Sequence, residues 1–173
     1  MTDYTCGPAE LIHRLEVAKI LKCSYNISSI DEAQQVFLDE RAKGHRYIIA
    51  LDGPAAIGIV SWTVHDLPKH QLAELNRIAV LQEYWGEGVS RGLFEALKRD
   101  TMEYYAGHGQ WLRKLYVLTH EDNTRARSYY EKMGFKLDTI LKQHYYADKN
   151  ECVYAMFFNE LGDVVSAPPV TND

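Results

Sequence analysis

One segment, residues 73–94, constrains the fold most strongly, because its apolar pattern changes period part-way along. Residues 72–80 are β-rich, whereas apolar side chains recur at helical spacing from Val89 onward. Gly86 and Gly88 lie at the junction, so the sequence predicts a strand that turns directly into a helix. Backbone amides at such a helix start can hold a phosphate group, although glycines at these turns often serve only the bend.

Helix and strand patterns also alternate through the rest of the chain. The predicted helices cover residues 11–21, 31–42, 89–105 and 124–133, and the predicted strands cover 47–51, 57–64, 72–80, 115–118, 135–146 and 151–158. A turn at Asp52-Gly53-Pro54 joins the first two strands into a hairpin. This order predicts an α/β fold with a mixed, mostly antiparallel central sheet flanked by helices.

The length and the apolar content set the domain count. A chain of 173 residues with 46% hydrophobic residues can build one core without disulfides or metals. We expect a single domain over residues 1–161 and a disordered tail over 162–173, where large apolar groups are few. The sequence shows neither a signal-peptide pattern nor a long apolar run, so we expect a cytoplasmic protein that does not enter a membrane.

Charged and sulfur-containing residues narrow the function classes. The formal charge of -5 argues against general nucleic-acid binding and mildly favours cationic partners. The three cysteines are widely spaced and suggest neither a disulfide framework nor a zinc site. Four histidines are scattered without metal-ligand spacing, so surface or packing roles are favoured and no metal is expected; they are His65, His70, His120 and His144.

The glycine loop resembles the pyrophosphate-binding motif of the GNAT acetyltransferase superfamily, (Gln/Arg)-x-x-Gly-x-(Gly/Ala), which follows a strand ending in valine. The motif maps onto residues 85–90, with Trp85 in place of Gln or Arg and Ser90 in place of the last small residue. The resemblance implies acetyl-CoA as co-substrate, bound by Ile78, Ala79, Val80, Trp85, Gly86, Glu87, Gly88, Val89, Ser90 and Arg91. Among these, Glu87 is an unfavourable neighbour for phosphate and Arg91 a favourable one.

A second segment, residues 115–135, is similar to the family signature V-x(4)-N-x-x-A-x-x-x-Y-x-x-x-G-F. Its surroundings resemble the branch that acetylates protein N-termini, including the bacterial ribosomal-protein alanine acetyltransferases. The resemblance implies that Asn123 contacts CoA and that Tyr130 protonates the departing thiolate. Residue type alone favours a helix cap for Asn123 and a core position for Tyr130; the signature reverses that preference for Tyr130, and Asn123 fits both roles.

Glu74 is the leading candidate for the base that deprotonates the amine, because its place resembles that of the basic glutamate in the histone-acetylating branch. Strand alternation puts Glu74 on one face with Asn76, Ile78 and Val80. A charged residue at a solvent edge is an equally weighted alternative. In the bacterial enzymes that acetylate N-termini, the base is a glutamate on the following strand, where this chain has Tyr116.

Water-relayed deprotonation through Tyr145 and Tyr146 is a further alternative for the base. The resemblance implies an enzyme in which the amine attacks acetyl-CoA directly, and the strands around the thioester are expected to splay after Val80. Use of another acyl-CoA, or a non-catalytic CoA-binding regulatory module, are the alternative functions. The acceptor stays open between a protein N-terminus, a polyamine, an aminoglycoside and a free amino acid, and so does the existence of a homodimer.

Overall fold

A computed structural model describes residues 3–170 of the chain. In these residues the helices are α1 Arg14–Ser24, α2 Ile30–Ala42, α3 Val89–Ala106 and α4 Thr124–Met133. The strands are β1 Thr5–Pro8, β2 Arg46–Asp52, β3 Ala55–Val64, β4 Leu72–Val80, β5 Lys114–His120, β6 Lys136–Tyr146, β7 Lys149–Phe158 and β8 Val164–Val165. The eight strands belong to one mixed, mostly antiparallel sheet, as the sequence predicted.

Two compact units interleave along the chain. The first unit comprises residues 3–64 and 75–101, and the second comprises residues 65–74 and 102–170. Strand β4 and helix α3 therefore each contribute residues to both units.

The first unit packs α1 and α2 onto the strands β1, β2, β3 and β4, which are neighbours in that order. Its core is aliphatic and aromatic, and its largest members are Val17, Ile20, Leu21, Phe37, Tyr47, Ile49 and Ile59. Helix α1 begins three residues later than predicted, because Leu11–His13 form a 3-10 turn and Leu11 is exposed. Strand β1, which the sequence did not predict, pairs antiparallel with β2.

The second unit orders its strands as the start of β4, then β5, β7 and β6. β4 and β5 are parallel and pair over only three residues, ending at Glu74 opposite Tyr116. The sequence placed the end of this pairing after Val80, which is six residues too late. In the first unit, farther along β4, the backbone amide and carbonyl of Ile78 are hydrogen-bonded to the Tyr25 hydroxyl.

The end of the chain differs from the predicted tail over residues 162–173. Val164 and Val165 form β8 and pair with Phe158 and Phe157 of β7. The Asn159 side chain makes this return turn, because its Oδ1 accepts hydrogen bonds from the amides of Leu161 and Asp163, each at 2.9 Å. Residues 171–173 of the predicted tail lie outside the described residues.

None of the helices within residues 3–170 has the length and apolar character needed to cross a membrane.

Candidate active site

The loop before α3 holds both of its motif glycines in a left-handed conformation. Gly86 and Gly88 adopt φ angles of 88° and 82°, a region that residues with a Cβ seldom occupy. No heavy atom lies within 4 Å of the position that a Cβ would take at either glycine. Val89 opens α3 with its side chain 1% exposed, so the helix start is fixed in the core. This backbone can approach an anion closely.

Trp85, the departure from the family motif, ties this loop to the end of β4. Its indole Nε1 donates a hydrogen bond to the carbonyl oxygen of Val80 at 2.9 Å. The side chain is 48% exposed, so one edge of the indole is bonded while much of the ring faces solvent. The structure thus brings the predicted loop together with the predicted strand end.

Tyr25, which follows α1, occupies the backbone groups of Ile78. Its hydroxyl accepts a hydrogen bond from the Ile78 amide at 3.1 Å and donates one to the Ile78 carbonyl at 3.2 Å. Burial raises the pKa of Tyr25 to about 12, which keeps the hydroxyl protonated. The sequence assigned this amide to the thioester carbonyl, and it gave no signal for a contact between residues 53 positions apart.

A charged network supports Tyr25 from within the first unit. The Arg77 guanidinium lies over the Tyr25 ring, 4.7 Å from its centroid. Arg77 also donates two-pronged hydrogen bonds to the Glu40 carboxylate, from Nη2 at 2.6 Å and from Nε at 3.1 Å. Tyr47 donates a further hydrogen bond to Glu40.

Glu74, the predicted base, meets two side chains of the second unit. Its Oε2 lies 2.6 Å from Nε2 of His65 and accepts a hydrogen bond from the Tyr116 hydroxyl at 3.1 Å. The Tyr116 hydroxyl is itself 2.6 Å from the same His65 nitrogen. Three groups capable of holding a proton therefore converge at one point, at the last residue pair between β4 and β5.

The phenols around Glu74 are held in their neutral form. Burial, the charge of Glu74 and the hydrogen bond to it raise the pKa of Tyr116 well above its usual range. Burial and then the charges of Glu74 and Glu151 raise the pKa of Tyr145. Tyr145 is 62% exposed, so it lies at the solvent side of this acidic cluster.

A second histidine and carboxylate pair lies on β5 and β7. His120 Nδ1 is hydrogen-bonded to Glu151, whose backbone is opposite His120 in the strand register. The Tyr146 ring packs against His120 with centroids 5.6 Å apart. Glu151 is almost fully buried, with 3% of its side chain exposed, so its carboxylate is shielded from solvent and we assign the pair a structural role.

Asn123 caps α4, as residue type alone suggested. Its side-chain oxygen accepts a hydrogen bond from the Ala126 amide at 3.1 Å. Gly134 ends the helix with a φ of 101°, the left-handed conformation expected at that position. The capping role of Asn123 is confirmed, and its contact with CoA stays a prediction.

Tyr130 faces the packed side of α4 and is 7% exposed. Its ring contacts Phe135 and Tyr154, with centroid separations of 5.7 Å and 6.2 Å. Tyr154 lies opposite Val117 of β5, so the two side chains are on the same face of the sheet. Tyr116 precedes Val117 in the strand, so its side chain points to the opposite face. Tyr130 therefore lies against the sheet face opposite to Tyr116, and the structure does not bring it together with Glu74.

His65 is the residue of this cluster that sequence reasoning missed. Its amide donates to the carbonyl of Leu72 at 3.0 Å, so the connection before β4 folds back beside the start of that strand. Reading His65 and Leu72 as a hairpin pair would have placed the imidazole near Glu74. In the described part of the chain, no group of three or more His, Cys, Asp or Glu side chains is placed to hold a metal ion.

Comparison with known families decides what kind of protein carries this geometry. The sequence profile described as Acetyltransferase (GNAT) family matches residues 14–135, which is more than half of the chain. The chain belongs to the GNAT acetyltransferase family. It is therefore an acetyltransferase, and acetyl-CoA is the co-substrate of its family. Comparison with curated protein sequences gives no match.

Solved structures share the fold. The ribosomal-protein-S18-alanine N-acetyltransferase of Escherichia coli has a TM-score of 0.70 at 17% identity, covering 88% of this chain and 92% of that one. Ard1 of Thermoplasma volcanium has a TM-score of 0.72 at 18% identity, covering 91% and 99%. The spermidine/spermine N-acetyltransferase SpeG of Vibrio cholerae has a TM-score of 0.67 at 18% identity, covering 89% and 92%. At these identities the similarity shows the fold of a GNAT enzyme and not its acceptor.

Proposed function

We propose that this GNAT acetyltransferase transfers an acetyl group from acetyl-CoA to a primary amine by direct attack. The observation that carries the proposal is the meeting of Glu74, His65 and Tyr116 at one point. An alkyl amine is protonated at neutral pH and must lose a proton before it can attack a carbonyl carbon. A carboxylate next to an imidazole supplies groups that can accept this proton.

Acetyl-CoA binding is assigned to the residues that the sequence motif selected. In the first unit they are Ile78, Ala79, Val80, Trp85, Gly86, Glu87, Gly88, Val89, Ser90 and Arg91. The contact of Asn123, in the second unit, with CoA is a separate prediction from the signature. The open space at Gly86 and Gly88 supports the phosphate part of this assignment. At Ile78 the Tyr25 hydroxyl already accepts a hydrogen bond from the amide.

Tyr130 is proposed to protonate the thiolate that leaves when the amide forms. The amine nitrogen bonds to the acetyl carbon, the carbon to sulfur bond breaks, and the phenol gives its proton to sulfur. The nitrogen then loses its extra proton to water to become the amide, and the phenolate regains a proton from water. Firm packing of the Tyr130 ring against Phe135 and Tyr154 supports a fixed position for such a donor. A cytoplasmic location and a homodimer remain predictions from the sequence.

Two classes of amine are suggested by the names of structural neighbours: the N-terminal alanine of a protein and the polyamine spermidine. The purified protein should be incubated with acetyl-CoA and an alanine-terminated peptide, spermidine, an aminoglycoside or a free amino acid. We expect CoA release together with a mass gain of one acetyl group on at least one amine. Tight CoA binding without turnover on any of these amines would instead favour a non-catalytic CoA-binding module. Faster turnover with succinyl-CoA than with acetyl-CoA would favour a transferase that uses another acyl donor.

Gly88→Glu tests whether the loop holds the phosphates, because the new carboxylate would stand where the anion is proposed to bind. Gly109→Glu is the matched control, since Gly109 also has a positive φ, of 68°, and open space at its Cβ position. Both variants carry the same backbone strain, so only Gly88→Glu should lose acetyl-CoA affinity in a calorimetric titration. Equal affinity in the two variants would place the phosphates elsewhere.

A further inference from the structure

The orientation of the His65 imidazole is fixed by contacts from two strands. Its Nε2 lies 2.6 Å from Oε2 of Glu74 on β4 and 2.6 Å from the Tyr116 hydroxyl on β5. The ring of Tyr116 is tilted by 51° against the imidazole, with centroids 5.3 Å apart. Backbone bonding of His65 to Leu72 anchors the residue itself. Because the carboxylate contacts one ring nitrogen, the position of the other, Nδ1, is fixed as well.

The short contact with Glu74 determines which nitrogen carries the proton. A nitrogen and a carboxylate oxygen at 2.6 Å need a proton between them, so neutral His65 is protonated at Nε2. Nδ1 then keeps its lone pair. Within residues 3–170 the structure gives Nδ1 of His65 no hydrogen-bond partner, so this atom is available to a substrate.

Accessibility separates the imidazole from the carboxylate. The His65 side chain is 43% exposed, whereas that of Glu74 is 19% exposed. Oε2 of Glu74 is already in contact with both His65 and Tyr116. A cation arriving from solvent therefore meets His65 more readily than Glu74.

We propose that Nδ1 of His65 is the atom that takes the proton from the acceptor amine, and that Glu74 is a positioning residue that orients and charges the imidazole. This inference rests on the proposed acetyl transfer. In the step, a nitrogen to hydrogen bond of the substrate ammonium breaks and a bond from Nδ1 to that hydrogen forms. The electron pair left on the amine attacks the thioester carbon, and the imidazolium later loses its proton to water.

The groups around the His65 imidazole are compatible with a ring that accepts a proton from the substrate and later releases it. Glu74 faces the ring from β4, Tyr116 from β5, and Tyr145 lies close enough to feel the charge of Glu74. Asp66 and His70 of the same connection form an ion pair of their own at 3.3 Å. Among these charged side chains, within residues 3–170, Glu74 is the one in hydrogen-bond contact with the imidazole.

His65→Gln tests the inference, with kcat/KM measured against pH on the amine that the wild type acetylates. If an imidazole takes the proton, the wild-type rate should rise with pH and then level off once that base is deprotonated. In His65→Gln we expect a loss of about 10²-fold or more and the disappearance of this rise. His70→Gln is the matched control, because His70 is also 43% exposed but is paired with Asp66. Its pH profile should match the wild type.

Glu74→Gln distinguishes whether His65 or Glu74 takes the proton. If His65 takes the proton, the variant keeps a pH-dependent rise in rate, because the imidazole is still present. If Glu74 itself takes the proton, the rise disappears in Glu74→Gln and persists in His65→Gln, which overturns the inference. Recovery of a His65→Ala variant by added imidazole supports it further, and no recovery in a folded His65→Ala protein counts against it.

The proposed function and this inference fail in different ways. A wild-type protein that acetylates no amine on the panel refutes the proposed function, and the inference falls with it. A wild type that is active, beside a His65→Gln variant with unchanged activity and pH profile, refutes the inference alone.

Discussion

Two carboxylates of similar burial, Glu40 and Glu74, differ in their main hydrogen-bond partner. The Glu40 side chain is 16% exposed and accepts a two-pronged pair of hydrogen bonds from Arg77, a group that is always charged. Glu74 is 19% exposed, and its partners are an imidazole and a phenol. Glu40 also accepts a hydrogen bond from Tyr47 and has Nδ1 of His45 at 3.7 Å from its Oε2, but the guanidinium of Arg77 keeps it an anion near neutral pH. Glu74 has as its nearest basic partner an imidazole, which can exchange a proton.

This difference separates a structural carboxylate from a reactive one. Glu40 holds Arg77 over the Tyr25 ring, and Tyr25 in turn holds the backbone of Ile78, so the Glu40–Arg77 pair supports this part of the strand. The Arg77 guanidinium cannot release a proton, so the Glu40–Arg77 pair can contribute no acid or base chemistry. The partner of Glu74 is 43% exposed and can gain a proton from a substrate.

The largest expected effect is on turnover in Glu74→Gln. Removing the charge beside His65 should lower kcat by about 10²-fold or more while the affinity for acetyl-CoA stays unchanged. Substitution of a partly exposed residue should cost only about 1 kcal/mol of stability or less. Steady-state kinetics and thermal unfolding of Glu74→Gln and Glu40→Gln would check this. Equal losses of turnover in the two variants would erase the distinction between the carboxylates.

Two buried tyrosines extend the same distinction. Tyr130→Phe keeps the packing against Phe135 and Tyr154 but removes the proposed proton donor, so kcat should fall by about 10²-fold with little change in melting temperature. Tyr47→Phe is the matched control, since Tyr47 is 3% exposed and its hydroxyl donates to Glu40. It should lose stability and keep turnover. A fully active Tyr130→Phe protein, measured where chemistry limits the rate, would return Tyr130 to a core role.

The fold could be predicted from sequence because its signals are local. The strand over residues 72–80 and the helix over 124–133 agree with the observed β4 and α4 at both ends. For α4 the cause is explicit: Asn123 caps its start and Gly134 ends it. Strand β1 was missed because four residues containing Gly7 and Pro8 carry no alternation, and pairing with β2 makes them a strand.

The candidate site was predicted only where its residues belong to one continuous motif. Glu74 and the glycine loop follow from spacing, but the approach of His65 to Glu74 depends on the connection between β3 and β4. That connection contains Asp66 and Gln71 at φ angles of 60° and 57°, which pattern reasoning does not anticipate. The contact of Tyr25 with Ile78 is set by how α1 packs, and packing between distant segments has no local code.

The next effect in size concerns the stability of the first unit. Glu40→Gln leaves the partly buried Arg77 without its anion, and we expect a loss of about 2 kcal/mol in the free energy of unfolding. Complete burial would give a larger loss, but both side chains retain some contact with water. Asp39→Asn on the same helix is the control, because Asp39 accepts its hydrogen bond from Gln35. Urea unfolding at neutral pH of both variants would show the difference, and equal stabilities would mean that the pair contributes nothing.

The smallest expected effect is a difference in acid sensitivity between wild type and Glu40→Gln. Burial disfavours the Glu40 carboxylate, but the hydrogen bonds from Arg77 and Tyr47 outweigh this and hold the pKa of Glu40 below its ordinary value. Because the pKa is lower in the folded state, the unfolded chain binds a proton first as the pH falls. The stability that Glu40 provides is therefore fully present above the unfolded-state value of about 4.3 and is lost as the pH falls through the folded-state value.

Glu40→Gln cannot lose this contribution, so its free energy of unfolding should fall less steeply between about pH 5 and pH 3 than that of the wild type. The two curves should approach each other at the acid end, where protonation makes the wild-type side chain as uncharged as glutamine. Asp100, whose pKa is also lowered because the hydrogen bonds from Arg46 and Trp62 outweigh its burial, remains in both proteins and gives them a shared acid slope. Urea unfolding at a series of pH values measures the difference, and parallel curves would show that Arg77 does not hold Glu40 as an anion in solution.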